Sequence, residues 1–455
     1  MTKVVVPSGA LGLNYDKDAL QRAIAAGPDI IAIDGGSTDS GPSYLGRGIS
    51  KYSRSSTKIE WKGLMQARAK ANVPLVIGTA GTCGADSAVD WLVDITKEIA
   101  QELGQNVKIA VLKSSQDKIK IQDAFNDDKI SPLEHAPDLN AGDISSFENI
   151  VALAGVEQIT EALNTGADII IAGRKTDTAI IAALPIKNNC HTGAAWHGAK
   201  IAECGALCAT NPQSGVILVD FDHEGFTLTP MADNAKATPH TVSAHMLYEN
   251  SNPFVLYEPG GHLDVTEADY SAIDQKSVRV EGAKWVPSDK YTVKLEGSRI
   301  TGYQVMIMAL VRDSHYVEHI DQWTSDIHDL CTSKVKDRLA LSDDDFDIEL
   351  RLIGKNATLG AIDVNTKDAS EIGVMGIVTA KTSELAKEIG KILNPYLLHH
   401  PLTKEEEVPT FAFPFSPAEI EVGPVYEFGL NHVLQLDHPM DAFSLDVVEV
   451  KNGTA

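Results

Sequence analysis

The chain contains 455 residues, of which 43% are hydrophobic, so it is long and apolar enough to fill two or three domain cores. Asp and Glu outnumber Lys and Arg by 63 to 39, which leaves a formal net charge of −24. Because so acidic a surface repels phosphate backbones and anionic lipid headgroups, the composition argues against nucleic acids and membranes as partners.

Three apolar segments dominate the first half of the chain, and each ends in a polar turn that contains glycine. They are DIIAIDGGSTDSGP from Asp29, VPLVIGTAGTCGAD from Val73 and ADIIIAGRKTDTA from Ala167. Runs of Ile, Val and Ala without alternation are typical of strands buried on both faces, as in a parallel sheet covered by helices. Helical spacing of apolar residues predicts intervening helices at 17–26, 60–71, 86–103 and 157–164. We therefore predict an α/β domain with a doubly wound, mostly parallel sheet over residues 1–215.

The rest of the chain shows a different pattern. Residues 216–300 contain short strand patterns joined by turns, including the hairpin GVILVDF and GFTLTPM, and predict a β-rich segment. Residues 301–455 predict elements in the order βαββαβ, as in a ferredoxin-like α+β fold, followed by a C-terminal tail. The sequence thus predicts three segments with boundaries near residues 215 and 300.

The N-terminal sequence and the cysteines indicate where in the cell the protein is located. The segment MTKVVVPSGALGL lacks a basic region followed by a long apolar one, and no stretch approaches the roughly 18 uninterrupted apolar residues of a membrane span. The cysteines are odd in number and scattered, at Cys83, Cys190, Cys204, Cys208 and Cys331. We therefore expect a cytoplasmic protein with reduced thiols.

The loops that follow the three apolar strands are predicted to share one rim. In sheets of this kind, the loops at the carboxyl ends of the strands converge on a crevice where ligands bind. The polar side chains and the cysteine placed there are Asp34, Ser37, Thr38, Asp39, Thr79, Thr82, Cys83, Asp86, Arg174, Thr176 and Asp177. This rim is the predicted functional site.

The loop GTAGTCGADS supplies the first candidate binding groups. Glycines let backbone N–H groups approach a ligand, so Thr79, Gly81, Thr82 and Gly84 are candidates to bind a phosphate, a carboxylate or an enolate. The pattern matches neither a dinucleotide fingerprint nor a Walker sequence, and it predicts no nucleotide. Cys83, at the start of a helix, is a candidate nucleophile with a lowered pKa. Alternatively, the glycines serve only turn geometry and the cysteine is a small buried residue.

Carboxylates and one arginine supply the second set of candidates. Asp34, Asp39 and Asp177 are candidate catalytic residues, either as an acid/base pair or as oxygen ligands for a divalent metal. The alternative is that the aspartates cap turns. Arg174 is the candidate anchor for a substrate carboxylate, with Thr176 as a further binding residue, although an ion pair between Arg174 and an aspartate would look the same in sequence.

The histidines form a weaker pattern. They occur at His191, His197, His240, His245 and His262, without the tight spacing of a zinc site. This pattern is more typical of histidines that are each hydrogen-bonded within the protein than of a zinc site. No metal site is assigned from it, the cofactor stays unknown, and a divalent metal held by the carboxylates stays open.

Several strings resemble a known family. The segments HTVSAHMLYENSNPFVLYEPGGHLDVTEADY and VRVEGAKWVPSDKYTVKLEGSRITGYQ, with the GTAGTCGAD and AGRKTDTA loops, resemble the acyclic terpene utilisation (AtuA) family. The C-terminal string VGPVYEFGLNHVL resembles the small partner protein often encoded beside that family. The resemblance implies a place in terpenoid and branched-acid catabolism, with a hydratase or lyase step on a 3-hydroxy acid or its CoA thioester. It carries no catalytic set that can be transferred residue by residue.

Together these patterns predict a lyase, a hydratase included, that acts on a small hydroxy-carboxylic acid or its CoA thioester. In this hypothesis Arg174 and the glycine-rich loop hold the carboxylate or developing enolate. Asp34 or Asp39 removes the α-proton, and Asp177 or a histidine protonates the leaving hydroxyl.

Three alternatives stay open at this point. An isomerase needs the same proton-transfer groups, a non-catalytic binding subunit would leave the chemistry to a partner, and a hydrolase would use Cys83. We also expect a homo-oligomer, since an open sheet edge often pairs with a second copy.

Overall fold

The computed structural model describes residues 1–36, 38–363 and 369–451, with the side chains of Asp39 and Ala361 outside the description. The chain forms two compact units. The first contains Met1–Arg299 and the C-terminal segment from Phe428, and the second contains Ile300–Glu427. The division into three segments, with boundaries near residues 215 and 300, stays a prediction.

The strands and helices are numbered in chain order. The strands are β1 (Thr2–Val6), β2 (Ile30–Asp34), β3 (Leu75–Gly78), β4 (Val107–Lys113), β5 (Ile130–Pro132), β6 (Phe147–Ala152), β7 (Ile169–Ala172), β8 (Ile217–Phe221), β9 (Gly225–Pro230), β10 (Val255–Glu258), β11 (Gly261–Asp264), β12 (Asp269–Ala272), β13 (Val278–Glu281), β14 (Lys284–Pro287), β15 (Tyr291–Val311), β16 (Phe346–Ile353), β17 (Ile372–Ala380), β18 (Ile420–Leu436) and β19 (Ser444–Val450). The helices are α1 (Lys17–Ala25), α2 (Pro42–Arg47), α3 (Arg54–Ala71), α4 (Asp86–Leu103), α5 (Lys118–Asn126), α6 (Val156–Asn164), α7 (Ala179–Lys187), α8 (Thr192–Ala202), α9 (Pro239–Ala244), α10 (Ser314–Glu318), α11 (Ile320–Leu339) and α12 (Ser383–His399).

The first unit is built on a large mixed sheet. Its strand order is β12-β13-β9-β8-β1-β2-β3-β7-β4-β19. The neighbours from β1 to β4 in this order are parallel, whereas β8 and the strands beyond it, and β19 at the other end, pair antiparallel. The expected α/β class is confirmed in this coarse sense. The strands of this sheet that lie within residues 1–215 pair parallel with one another, and the antiparallel strands come from later in the chain, while the doubly wound layout stays a prediction. The sequence of a strand shows whether its faces are buried and does not show which strand it pairs with.

The central strands are buried on both faces, as their unbroken apolar runs predict. Ile30 and Ile170 pack into one hydrophobic core, while Ile31 and Ile171 pack into another. Because successive side chains of a strand point to opposite faces, these two cores lie on opposite sides of the sheet. The outer strands alternate between buried and half-buried residues instead, as in β8. The continuous apolar runs therefore mark the strands at the centre of the sheet.

The second unit contains antiparallel strands and two long helices. Tyr303 to Val311 of β15 pair with β17, and β17 pairs with β16, so that the order is β16-β17-β15-β18. Ile307, Ile327 and Leu393 share its core, which joins the sheet to α11 and α12. Along the chain its elements are β15, α10, α11, β16, β17, α12 and β18. The ferredoxin-like assignment itself stays a prediction.

A small three-stranded sheet, β10-β11-β14, completes the first unit. In the part of the chain that the structure describes, every helix is too short or too polar to cross a lipid bilayer.

Candidate functional site

Three loops meet at the carboxyl ends of the parallel strands β2, β3 and β7. The N–H of Gly35, just after β2, donates to the carbonyl of Gly78 at 2.7 Å. The N–H of Thr79, just after β3, donates to the carbonyl of Gly173 at 2.7 Å. These backbone hydrogen bonds bring the loops together around Arg174, as the parallel order of the strands requires.

The guanidinium of Arg174 is buried and already paired. Its Nε and Nη2 donate to the two carboxylate oxygens of Glu296 at 3.0 and 3.2 Å, and Nη2 also donates to Thr38 Oγ1 at 3.1 Å. Burial would raise the pKa of Glu296, but Arg174 and Lys294 lower it to about 2. Burial would likewise lower the pKa of Arg174, but the carboxylates of Glu296 and Asp177 raise it. The fork therefore already binds a carboxylate of the protein, and the expected role of Arg174 in substrate anchoring stays a prediction.

Lys175 joins two of the predicted aspartates. Its side chain is fully buried, and Nζ forms ion pairs with Asp34 Oδ2 and, at 3.3 Å, with Asp177 Oδ1. A Cβ at Gly78 would lie 2.5 Å from Cγ and Cε of Lys175, so the lysine stem lies directly over this glycine. We call Asp34, Lys175 and Asp177 the Lys175 cluster.

The two aspartates of the Lys175 cluster have different pKa values. Burial, reinforced by the charge of Asp177, raises the pKa of Asp34 to about 6, although Lys175 opposes this change. Burial would also raise the pKa of Asp177, but Lys175 and Arg174 lower it below its ordinary value. Asp177 is thus a fixed carboxylate, whereas Asp34 is a stronger base than an ordinary aspartate.

A second buried pair of a lysine and a carboxyl group lies at the end of α8. Lys200 Nζ is 2.5 Å from Glu203 Oε1 and also donates to the carbonyl of Tyr248 at 2.9 Å. Burial, followed by the charge of Asp177, raises the pKa of Glu203 to about 8 even though Lys200 opposes the rise. Glu203 is therefore mostly protonated at neutral pH and able to donate a proton.

A cleft of about 990 Å³, which we call the large cleft, is lined by Asp34, Asp177 and Glu203. Tyr52 also lines it, and its hydroxyl has no hydrogen-bond partner among the described residues. Its ring packs against Gly12, where a Cβ would lie 2.5 Å from the ring and φ is +112°. Only glycine combines this backbone conformation with so close a ring. The large cleft therefore presents a base, an acid and a hydroxyl donor together.

Lys51 contributes a cation to the large cleft. Its Nζ donates to Ser40 Oγ at 3.1 Å, and its side chain is exposed. It forms no ion pair with the carboxylates that the structure describes. Lys51, unlike Arg174, is thus available for an anionic group of a ligand.

A cleft of about 410 Å³, the small cleft, shares Asp177 and Glu203 with the large one. Thr176 lines it beside Glu258, which accepts a hydrogen bond from Thr178. Burial raises the pKa of Glu258 to about 7, and its Oε2 is buried without a partner in the described residues. The small cleft thus places one more proton-exchanging carboxyl beside the site.

Five backbone amides of the glycine-rich loop are used within the protein. The N–H groups of Thr79, Ala80, Thr82, Cys83 and Gly84 donate to backbone carbonyls at 2.7 to 3.1 Å. These five amides hold the loop in place, and the binding of an anion by this loop stays a prediction.

The glycines of this loop are explained by backbone geometry. Gly81 and Gly84 have φ values of +60° and +66°. A Cβ on Gly84 would lie 2.3 Å from the backbone nitrogen of Arg174, and one on Gly81 would lie 2.8 Å from Ala88 Cβ. Thr82 Oγ1 accepts the N–H of Lys51 at 3.1 Å. The loop therefore holds the neighbouring loops in place.

Cys83 does not point into either cleft. Its side chain is fully buried in a small apolar cluster with Leu45, Ala88 and Val151. Burial raises the pKa of its thiol, although nearby backbone hydrogen bonds and Arg174 lower it. The lowered pKa expected at a helix N-terminus is thus a wrong expectation, because desolvation outweighs the helix end.

Other predicted residues are placed as follows. Ser37 and the side chain of Asp39 lie outside the described residues, so the predicted role of Asp39 stays a prediction.

Burial lowers the pKa of His197 to about 3 and that of His245 to about 4, so both are neutral at pH 7. In the described ranges no group of three His, Cys, Asp or Glu side chains is arranged to hold a metal ion. The cation between Asp34 and Asp177 is instead Lys175.

The structure adds charged residues that the sequence analysis did not select: Lys175, Lys200, Glu203, Glu258 and Glu296. Lys175 lies inside the predicted loop, and a lysine next to buried strand residues was an available signal. Glu203 was present in the string AECG but had no partner pattern around it. Glu296 is 122 residues from Arg174 along the chain, and no local pattern connects the two.

Comparison with known proteins agrees with the resemblance in the sequence. The family described as acyclic terpene utilisation family protein AtuA matches residues 62–412, which is more than half of the chain. Searches among curated proteins and among solved structures found no match. The string VGPVYEFGLNHVL lies beyond the matched residues, so its likeness to the small partner protein stays a prediction. The chain belongs to the acyclic terpene utilisation (AtuA) family.

Proposed function

We propose that this protein is an acid/base lyase that dehydrates, or in reverse hydrates, a small hydroxy-carboxylic acid or its CoA thioester. One observation carries the proposal: Asp34 and Glu203 line the same cleft and have pKa values of about 6 and about 8. Carboxyl groups whose surroundings separate their pKa values across neutrality are typical of acid/base pairs. Membership of a catabolic family supports the same direction.

In the proposed reaction Asp34 is the base. Its carboxylate takes the proton from the carbon next to the substrate carbonyl, and the electron pair moves onto the carbonyl oxygen. Tyr52 donates a hydrogen bond to that oxygen, because it lines the large cleft and its hydroxyl has no partner among the described residues. Lys175 and Asp177 do not touch substrate in this scheme, and they act as positioning residues that hold Asp34 in place.

Glu203 completes the reaction as the acid. The electron pair returns to form a carbon–carbon double bond while the bond to the β-hydroxyl oxygen breaks. Glu203 donates its proton to that oxygen, and the group leaves as water. One proton then passes from Asp34 to Glu203 through water in the cleft, which restores both groups. An exposed cation at Lys51 is suited to the carboxylate of a free acid.

Product formation with substitutions in the large cleft tests the proposal. A panel of straight and branched 3-hydroxy acids, free and as CoA thioesters, is followed by mass spectrometry and NMR. We expect Asp34→Asn and Glu203→Gln each to lower kcat by about 10²- to 10⁴-fold. Asp138→Asn and Glu134→Gln are matched controls, since both side chains are exposed and line neither cleft. Unchanged turnover in both cleft variants would show the site to be wrong.

The same product analysis separates the proposal from an isomerase. Double-bond migration or inversion at the α-carbon needs the same two groups but releases no water, so product mass decides between them. A chain that binds the acids and never converts them, with divalent metal present, would be a binding subunit. We also propose that the protein is located in the cytoplasm. We propose that it forms a homo-oligomer, and light scattering of the purified chain tests this assembly.

A further inference from the structure

A third cleft of about 790 Å³ lies between α1 and α3, and we call it the basic cleft. Leu13, Asn14 and Tyr15 line both the basic cleft and the large cleft. The two clefts are therefore neighbours that share one wall. A ligand longer than a small acid can occupy both.

Lysine side chains give the basic cleft its positive charge. Lys17, Lys62 and Lys70 line it in a protein whose net charge is −24. Lys62 pairs with Glu102 at 2.6 Å, whereas Lys17 and Lys70 form no ion pair with the described residues. A polyanion is repelled by most of an acidic exterior, so a local group of unpaired lysines is where it can approach.

Glu60, the acidic residue that lines the basic cleft, accepts hydrogen bonds from backbone N–H groups. Glu60 Oε2 accepts the N–H of Gly12 at 2.8 Å and that of Asn14 at 3.3 Å. Its carboxylate therefore fixes the wall shared with the large cleft. The ammonium groups of Lys17 and Lys70 are left to a ligand.

Apolar side chains complete the basic cleft. Ile59 is 70% exposed and Leu13 is 61% exposed, and both line it above the buried Leu20 and Ile24. Exposed aliphatic side chains beside unpaired lysines suit a ligand that combines a flat apolar ring with phosphates.

We propose that the basic cleft binds the 3′-phospho-ADP portion of coenzyme A, and that the substrate of the large cleft is accordingly a CoA thioester rather than a free acid. The phosphates meet Lys17 and Lys70, and the adenine lies on Ile59. The pantetheine arm passes the shared wall at Leu13 and carries the acyl group into the large cleft. The acyl assignment rests on the proposed function, whereas the binding of coenzyme A does not.

Calorimetry with the full chain and free coenzyme A tests this inference without any turnover. We expect coenzyme A to bind more tightly than 3′-dephospho-CoA, and 3′-dephospho-CoA more tightly than pantetheine, because each step removes phosphate. The Lys17→Gln/Lys70→Gln double variant is expected to weaken coenzyme A binding by at least about 10-fold and to leave pantetheine binding unchanged. The control is Lys290→Gln/Lys404→Gln, which removes the same charge from exposed lysines outside the three clefts.

Equal affinity of coenzyme A for the wild type and the double variant would overturn the inference, and so would ADP binding as tightly as coenzyme A. The two proposals fail separately. If coenzyme A binds as expected but Asp34→Asn leaves turnover intact, the proposed chemistry is wrong and the basic cleft stands. If free acids are dehydrated and coenzyme A does not bind, the chemistry stands and the basic cleft is wrong.

Discussion

At the scale of single residues, the site depends on charged groups that are buried or line the large cleft. Lys175 is the clearest case, since its ammonium is fully buried between Asp34 and Asp177. A buried cation is tolerated only when carboxylates pair with it, so each member of the Lys175 cluster requires the others. Gly78 contributes by having no side chain where the lysine stem passes.

Gly78→Ala tests this packing. The new Cβ would lie 2.5 Å from two carbons of Lys175, so the lysine must move and its ion pairs must lengthen. We expect a loss of about 1–3 kcal/mol in the free energy of unfolding, measured by urea denaturation. Gly142→Ala is the control, because φ there is −65° and nothing lies within 4 Å of the added carbon. Equal stability of the two variants would contradict the packing.

The pH dependence of turnover follows from Asp34 and Glu203. The base must be ionised, so kcat/KM should rise with pH through about 6. The acid must be protonated, so kcat/KM should fall as pH rises through about 8. We expect a bell-shaped profile, and Glu203→Gln should remove the alkaline limb from its residual activity. A profile that stays flat from pH 5 to 9, a range set about one unit beyond these pKa values, would rule out this pair.

At the scale of elements, the site is held by contacts between distant strands. Glu296 on β15 pairs with Arg174 after β7, and the carboxylate is as buried as the guanidinium. Since both side chains are buried, removing one partner leaves the other as a buried charge with only its weaker pair, Asp177 at 3.5 Å for Arg174 or Lys294 at 3.1 Å for Glu296. The glycine-rich loop acts in the same way through backbone hydrogen bonds.

Glu296→Gln is expected to lower the free energy of unfolding by about 3–5 kcal/mol at pH 7. The pKa of Glu296 is depressed from 4.5 to about 2 in the folded state. Its contribution is therefore present above pH 4.5 and is lost as pH falls through about 2, so the difference between wild type and variant should shrink over that range. Glu281→Gln is the control, because its pair with Arg279 is more exposed and is worth at most about 1 kcal/mol. A loss equal to that of the control would contradict the buried pair.

The strand β19 makes a second prediction at this scale. It pairs with β4 from Ser444 to Val450 and covers that edge of the large sheet. A chain that ends at Phe443 should be destabilised by more than about 2 kcal/mol and should aggregate through the exposed β4. A chain that ends at Lys451 keeps the strand and should match the wild type in thermal unfolding and light scattering. Similar behaviour of both truncations would show that β19 is dispensable.

The sequence predicts those features of the structure that depend on residues close together along the chain. The apolar runs predict the central strands and their polar loops, since burial on both faces leaves a local pattern. The antiparallel extension of the sheet is not predicted, because pairing depends on distant segments. In the site, Asp34, Asp177 and Arg174 are brought together as expected, yet Glu296 and Glu203 are not foreseeable from local spacing. The role of Cys83 is misjudged because a helix start is visible in sequence and burial is not.

At the scale of the whole molecule, the proposed chemistry lies beside lysines that form no ion pair with the described residues. The net charge of −24 makes the average exterior acidic, whereas Lys17 and Lys70 of the basic cleft and Lys51 of the large cleft offer cations beside the proposed chemistry. In the proposed function, these cations direct a small anion to this region, where the carboxyl groups of the large cleft exchange its protons.

The most direct test of that central claim is deuterium exchange at the carbon next to the substrate carbonyl. Candidate 3-hydroxy acids and their CoA thioesters are incubated in D₂O with the wild type, Asp34→Asn and the control Asp138→Asn, and the recovered substrate is examined by NMR. We predict deuterium at the α-carbon with the wild type and with the control, and none with Asp34→Asn. Dehydration of a substrate with equal α-deuterium incorporation by all three proteins would contradict the account.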